Sequence, residues 1–399
     1  MNRQDVASWL IAIAVMLGLS APLRAQCPDG SPPPCARAVA RAPAANSVAV
    51  LYFEARDTAD AYLADGLTEE LITRLSEVRR LEVKSRFMSQ RLRGQPAAEP
   101  AIIGRRVGAV FLVTGGVRRS GKRVRVNAEL MRAMTGVVVW SRQLDRTDSD
   151  VLDIEEQLAH EIATGITGEL LPNEQATLTR RLTHDAVAYD LYLRGNFLAN
   201  KFTEPDLRAA IKLYEQAFAR DSTFALAQNG IASAWFFLAD DWVSPRDAYP
   251  RTRRAAERAL ALDSSAPASA QLVLPALTLD YDVGRAEAVA ERALVREPRE
   301  AWSLFSMMFV RLAQARRSDA ADFALRAWEA DTMSFLSALV VAANLGMAGA
   351  FDDLARFLPR ARLAVAEEVI HGWEGVLLYG RGDCAGAAER LREDRFHMR

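Results

Sequence analysis

The stretch AEAVAERALVREP, from Ala286 to Pro298, decides the fold of the carboxy-terminal half of this chain. Its pattern predicts a helix that ends at a turn and has alanines recurring along one face. Ala293, the last alanine of this stretch, has counterparts before and after it in the chain, and each of the last three is 34 residues after the one before. These alanines are Ala217, Ala259, Ala293, Ala327 and Ala361. A second, mostly small position precedes them by seven residues, at Ala210, Thr252, Ala286, Ala320 and Leu354, and recurs at Ala388.

A period of 34 residues is that of tetratricopeptide repeats, in which pairs of antiparallel helices stack into a solenoid. Asp221, Asp263, Glu297 and Asp331 follow the second helices, where that family usually has Asp-Pro. We therefore expect an all-α, tetratricopeptide-like solenoid of about six helix pairs over residues 184–399. An irregular all-α bundle is the alternative. Two prolines, Pro245 and Pro250, predict a longer loop from Asp240 to Pro250.

The preceding segment, residues 47–171, has a different pattern. The apolar run from Val48 to Phe53 predicts a central strand that is covered on both faces. After it, leucines recur every fourth residue from Leu63 to Leu75, so we expect a helix that packs on the sheet. That interpretation leaves Glu69, Glu70 and Arg74 in water, and the acid pair Glu155-Glu156 likewise suits a solvated helix face.

Further strands are predicted at 81–85, 109–119, 123–130 and 137–146, the last three forming an antiparallel meander. A closing helix should begin after Asp150, which is a good amino-terminal cap, and continue to Leu170. The predicted fold class is therefore a small α+β domain, with a mixed sheet, an antiparallel meander and packed helices, followed by the all-α solenoid.

The sequence ADGLTEELI, from Ala64 to Ile72, resembles the signature of TolB amino-terminal-like domains. Two further blocks, Thr114 to Val126 and Thr135 to Arg146, agree with it, so the resemblance covers residues 47–171. It implies a domain that often precedes tetratricopeptide repeats and is often fused to cyclases, protein kinases or winged-helix regulators. The chain departs from the family at Tyr52, where proline is usual, and in its short loop before Tyr62.

The amino terminus is typical of an export signal. Arg3 precedes an apolar run, and Ala25 occupies a cleavage position, so residues 1–25 are predicted to be a signal peptide and 26–46 a Pro/Ala-rich linker. This favours a periplasmic or exported protein without stable membrane insertion after cleavage; an uncleaved inner-membrane anchor is the alternative. Cys27 and Cys35 either form a disulfide in that compartment or stay unpaired.

Composition and motifs argue against catalysis. The 50 basic residues nearly balance the 51 acidic ones, so no overall field attracts nucleic acid or anionic lipid. Residues 116–122 approach a phosphate-binding loop, but Arg123 replaces the hydroxyl residue and a strand follows. The basic hairpin from Arg118 to Arg125 is interpreted as a solvated strand that protects the sheet edge, with weak association as the alternative. We expect no enzyme activity, no cofactor and no metal site.

The solenoid's concave face is the predicted binding site for a protein or peptide partner. In the tetratricopeptide family, contacts come from exposed positions of the first helices, and the register carries that role to a short set of residues. They are Asn229, Ser233, Phe236, Gln271 and Ser303. For Phe236, a packing role is the alternative. A second hypothesis is a sensory module in which the α+β domain binds a small ligand or envelope component and signals through the solenoid to a separate effector.

Overall fold

The computed structural model describes residues 43–90, 92–93, 99–147, 150–239, 242–298, 300–330, 335–362, 364–365 and 367–393. The predicted signal peptide, Cys27, Cys35 and most of the predicted linker lie outside these residues. From Pro43 onward the chain forms one compact unit. None of the helices in the described ranges is both long enough and apolar enough to cross a membrane.

Six strands within the described residues form one mixed sheet. Their order is β3-β1-β4-β5-β6, and β2 pairs with β4. They are β1 (Ser47–Val50), β2 (Glu54–Ala55), β3 (Glu82–Val83), β4 (Phe111–Ser120), β5 (Arg123–Arg132) and β6 (Val138–Thr147). β1 runs parallel to β3 and β4, whereas β4, β5 and β6 form an antiparallel meander. The predicted central strand and the predicted meander are both confirmed.

The β5 arm of the basic hairpin lies between β4 and β6, so the predicted edge-protecting role is wrong for Arg123 and Arg125. The β4 arm, residues 118–120, extends beyond the residues that pair with β1 and β2. The error arose because alternation along a strand reports which face is solvated, not whether the strand has neighbours. Residues 121–122 form the turn, with Gly121 at a φ of 60°, so the candidate phosphate loop is a β-hairpin.

Helices cover both faces of the sheet. They are α1 (Ala61–Ser76), α2 (Arg86–Gln90), α3 (Pro100–Val107), α4 (Val151–Thr167) and α5 (Pro172–Leu178). Helices α1 and α4 bury the larger core with the meander, and α3 packs on the other face against Ala49, Leu112 and Ala133. Asp150 does not cap α4 with its side chain; it accepts a hydrogen bond from Thr147 Oγ1 (2.7 Å) instead. Asp150 stands at the predicted cap position, but its backbone, at φ −107° and ψ 18°, is not in the extended conformation from which a cap side chain reaches the first N–H groups of the helix.

The carboxy-terminal half consists of six helix pairs in the described residues, in a tetratricopeptide-like solenoid. The pairs are α6 (Ala186–Ala199) with α7 (Glu204–Arg220), α8 (Ala225–Leu238) with α9 (Pro245–Leu262), α10 (Val273–Thr278) with α11 (Val283–Arg296), α12 (Ala301–Ala313) with α13 (Arg317–Ala330), α14 (Phe335–Ala348) with α15 (Phe351–Ala361), and α16 (Glu367–Gly380) with α17 (Cys384–Glu393). The five periodic alanines all lie buried near the ends of second helices, as predicted. Cys384, at the start of α17, is exposed and unpaired among the described residues.

Small residues set the distance between these helices. Tyr214 of α7 packs against Gly195 of α6 and Gly230 of α8, where an added Cβ would lie 2.4 Å and 2.8 Å from its ring. The predicted loop up to Pro250 is wrong in extent, because α9 begins at Pro245 and Pro250 lies inside it. Proline is tolerated at the first helical position, where its missing N–H has no partner to lose.

The two halves share one hydrophobic core. Leu63 and Leu67 of α1 belong to the same buried cluster as Tyr189 and Leu193 of α6 and Phe224 before α8. The approach is close at Gly66, where an added Cβ would lie 2.8 Å from Leu193 Cδ2. Helix α6 therefore packs against its neighbours in the solenoid on one side and against α1 on the other. The α+β domain covers the amino-terminal end of the solenoid, as a capping element must in a repeat array.

Candidate functional site

Three of the five predicted partner-binding residues meet on the first helices of the second and third pairs. Gln271 lies in a short 3₁₀ turn before α10, opposite Asn229 and Ser233 of α8. With its amide oriented so that both atoms are satisfied, Gln271 donates to the carbonyl oxygen of Ala268 (2.8 Å) and accepts from Ser233 Oγ (2.9 Å). Asn229 Oδ1 lies 3.4 Å from the same amide. All three side chains are half-buried and keep a solvated edge.

An aromatic cluster continues this surface. Phe236 and Phe237 at the end of α8 lie 5.7 Å and 5.5 Å from the ring of Trp302 in α12. Phe202, before α7, adds a fourth ring 5.1 Å from Phe237. Rings from α8 and α12 can touch because the intervening first helix, α10, has only six residues. The edge-to-face geometry is the favourable one for aromatic pairs, so Phe236 has the packing role that was the alternative.

Ser303 does not lie on this surface. It is only 3% exposed, and its backbone N–H donates to the side chain of Glu300, which caps α12. The expectation of an exposed contact is wrong here, because a register transferred from a regular repeat does not hold at this irregular pair, in which Ser303 is buried in the first turn of α12. Phe237 and Trp302 were not among the predicted contact residues, although aromatic residues at helical spacing on two first helices were a signal for them.

The junction between the two halves contains a second concentration of polar groups. Arg74 of α1 pairs with Glu70 (2.8 Å) and donates to the carbonyl oxygen of Leu178 (2.8 Å). Tyr189 of α6 donates to Glu155 of α4. Glu70, Arg74 and Glu155 are buried, so the prediction that they stay in water is wrong. The end of α5, the segment after it and helix α6 close over this part of α1, since Arg74 also donates to the carbonyl oxygen of Arg180 (3.4 Å).

Burial governs the protonation of these acids. It raises the pKa of Glu70, an effect that Arg74 opposes. It also raises the pKa of Glu155 well above the usual glutamate value, and the neighbouring Glu70 adds to the shift. Arg74 can balance one carboxylate but not two, so the cluster favours a protonated Glu155. These acids are enclosed between three helices and are in no position to act on a substrate.

A polar network surrounds this core at the surface. Tyr62 donates to Asp190 of α6 (2.6 Å) and accepts from Arg119 (3.0 Å). In the middle of α1, Glu69 accepts from Asn200 (2.8 Å) and from Tyr52 (3.0 Å). Burial is the main cause that raises the pKa of the Tyr52 phenol, and the negative charge of Glu69 raises it further. The TolB-like signature, residues 64–72, therefore forms the contact with the solenoid.

The charges of the basic hairpin are largely neutralised. Arg123 and Arg125 both donate hydrogen bonds to Asp145 of β6. These bonds hold the pKa of Asp145 below its usual range, and the bond from Arg125 has the larger effect. Arg119 is turned toward Tyr62 at the junction. Only part of the predicted basic surface thus points to solvent, which weakens its predicted association with a charged partner.

Two openings lie near the junction. The first lies between Leu63, Arg119, Tyr189 and Asp190, and it has room for about one water molecule. The second is an open groove of about 300 Å³ beside α4, with Asp153, Glu156 and Glu161 along its wall. Arg181 pairs with Asp153 and Arg142 with Glu161, so much of the acidic charge in this groove is already matched.

Comparisons with known proteins find matches to parts of this chain. Residues 44–164 match the family described as the second domain of HilA/YgeH-like transcriptional regulators. A curated relative from Rhizobium meliloti (strain 1021), named "Putative adenylate cyclase 3", is 29% identical over 192 residues, which is 48% of this chain. The match spans 32% of that relative, so this chain corresponds to about a third of its length.

Solved structures give partial matches. PilW, described as a widely conserved type IV pilus biogenesis factor, matches 49% of this chain and 90% of its own, at 15% identity and a TM-score of 0.38. TolB from Acinetobacter baumannii matches 32% of this chain and 30% of its own, at 18% identity and a TM-score of 0.25.

Proposed function

We propose that this chain is a non-enzymatic scaffold of the cell envelope that binds an extended segment of a partner protein. The observation that supports it is the surface formed by Asn229, Ser233 and Gln271 beside the rings of Phe237 and Trp302. It joins half-buried amides to the aromatic rings of two first helices, α8 and α12, that meet across the short α10. Export rests on the predicted signal peptide.

The chemistry of this surface suits a peptide backbone. A carboxamide carries a donor and an acceptor side by side, which matches the N–H and C=O groups of an extended chain. Among the contacts of the described residues, Asn229 makes only the 3.4 Å approach to Gln271, so it is the amide best placed to bind a ligand. The aromatic rings then offer apolar area for a side chain of the peptide at little cost in conformational entropy.

Alanine at both Asn229 and Gln271 should weaken capture of the partner by roughly tenfold, because the partner loses the hydrogen bonds of the Asn229 amide, about 0.5–1.5 kcal/mol each, and Ser233 loses the Gln271 acceptor that positions it. Immobilised full-length chain would be incubated with envelope extract, and binding of peptides from the captured protein would then be titrated by calorimetry. The same hydrogen-bond energies limit the loss of stability, so the melting temperature should fall by only a few degrees.

The matched control is Asn173→Ala, which removes an exposed amide from α5 on the α+β domain. It should bind as the wild type does. Equal affinity of the double variant and Asn173→Ala would rule out this surface as the binding site.

A regulatory module is the second candidate function. The observation that favours it is the match of residues 44–164 to a domain of transcriptional regulators, together with a relative named as a cyclase. In this role the α+β domain would bind a small ligand and pass the change to a separate effector through α1 and α6. The groove beside α4 has the room that the water-sized cavity lacks.

Thermal-shift screening of the full chain against a metabolite library separates the two functions. A ligand of the folded α+β domain must raise the melting temperature by mass action. The regulatory role requires that this shift be lost in Glu156→Gln, in the groove, and retained in Asn229→Ala. The scaffold role predicts no such pattern.

A further inference from the structure

The two edges of the sheet differ sharply in their protection. At one edge lies β3, which has only two residues, Glu82 and Val83, with Lys84 paired to Glu82. Short length and charge are the usual means of keeping an edge strand from pairing with another chain. At the other edge lies β6, which has ten residues and pairs only with β5 within the described part of the chain.

The beginning of β6 also carries an exposed apolar patch. Met134, Val137, Val138 and Val139 are 60%, 57%, 48% and 41% exposed, and Ile102 of α3 is 48% exposed. An added Cβ at Gly136 would lie 4.0 Å from Pro100 of α3, so the patch continues onto that helix. No charged residue occurs from Met134 to Ser141, so the charges that usually guard an edge are missing in this stretch.

From this edge we infer that the chain pairs with a second copy of itself, β6 against β6 in an antiparallel arrangement about a two-fold axis at Ser141. Every second residue of an edge strand directs its N–H and C=O groups away from its one neighbour. A second β6 would satisfy those groups and would cover the apolar patch. The two sheets would then form one continuous sheet across the dimer.

The sequence of β6 is self-complementary in this register. Trp140 lies opposite Arg142 of the other copy, which permits a cation–π contact, and Val138 lies opposite Leu144. Ser141 faces its own counterpart, and no charged residue faces another of like sign. A two-fold axis at Arg142 would place the two arginines directly opposite each other, which is unfavourable. An axis at Val139 would lie at the bulge that interrupts the register between β6 and β5.

Sedimentation equilibrium of the full chain tests the inference. The wild type should be a dimer, and Val138→Lys should raise the dimer dissociation constant at least about tenfold, because a lysine on the paired edge opposes strand addition. The control is Val295→Lys on α11, at a residue that is 86% exposed and far from β6 in sequence. It should associate as the wild type does. A monomeric wild type, or equal association of the two variants, would overturn the inference.

Crosslinking tests the register. Ser141→Cys is placed in a chain whose Cys27, Cys35 and Cys384 are replaced by serine. Because the two-fold axis places residue 141 opposite itself, a short bismaleimide should link two copies of this variant efficiently. Val295→Cys in the same background should remain largely unlinked. Similar yields from the two positions would contradict pairing about Ser141. Both readouts are independent of peptide capture, since β6 and Asn229 lie in different halves of the chain.

Discussion

Replacing Arg74 by methionine should lower the free energy of unfolding by about 3–5 kcal/mol, the usual cost of removing one partner of a buried ion pair. Arg74 neutralises Glu70 and donates to the carbonyl oxygen of Leu178. Methionine fills a similar volume but leaves Glu70 and Glu155 buried together without the cation they share. Urea denaturation followed by circular dichroism measures the change.

Two variants show whether burial is the cause. Arg208→Met removes an exposed pair with Glu204 one helical turn away, and it should cost no more than about 0.5 kcal/mol. Adding Glu70→Leu to Arg74→Met should recover part of the loss, since an apolar pair of suitable volume tolerates burial better than a lone charge. A similar stability for Arg74→Met and Arg208→Met would mean that solvent reaches the junction.

The elements that local patterns specify were predictable. The 34-residue spacing of alanines reports how closely successive helices must pack, and the period is unaffected by what lies around the solenoid. The alternation from Arg123 to Leu130 likewise fixed the faces of β5. Both predictions concern a helix or strand and its immediate neighbours, which is the information that side-chain periodicity carries.

The contacts between distant segments were not predictable in this way. The leucines of α1 identified one packing face, yet Glu70 and Arg74 are buried as well, because a segment more than 100 residues later closes over them and Arg74 donates to the carbonyl oxygens of Leu178 and Arg180. A signal was present at Gly66, whose missing Cβ allows the close approach of Leu193. Of the predicted contact residues, Asn229, Ser233 and Gln271 lie together, whereas Ser303 is buried.

Raising the pH above about 4.5, the ordinary value for glutamate, should destabilise the wild type through Glu155. Burial and the neighbouring Glu70 raise the pKa of this carboxyl in the folded state. The folded protein thus holds a proton that the unfolded chain releases, so the stabilisation is complete below the unfolded pKa and is lost as the pH rises toward the folded one. Each unit of pKa shift corresponds to about 1.4 kcal/mol.

Glu155→Gln should remove most of this pH dependence, because glutamine keeps the shape and an acceptor for Tyr189 but cannot ionise. Thermal unfolding from about pH 5 to pH 9 compares the two proteins. Glu161→Gln is the control, because the pKa of Glu161 is shifted in the opposite direction. Partial burial raises this pKa, but hydrogen bonds from Arg142, Gln157 and Trp140 outweigh burial and lower it. Its stabilisation is present above the unfolded pKa and is lost only as the pH falls through the folded one. A wild-type loss between pH 5 and 9 that persists in Glu155→Gln would therefore contradict the assignment to Glu155 and point to another group, such as Glu70, whose pKa burial also raises.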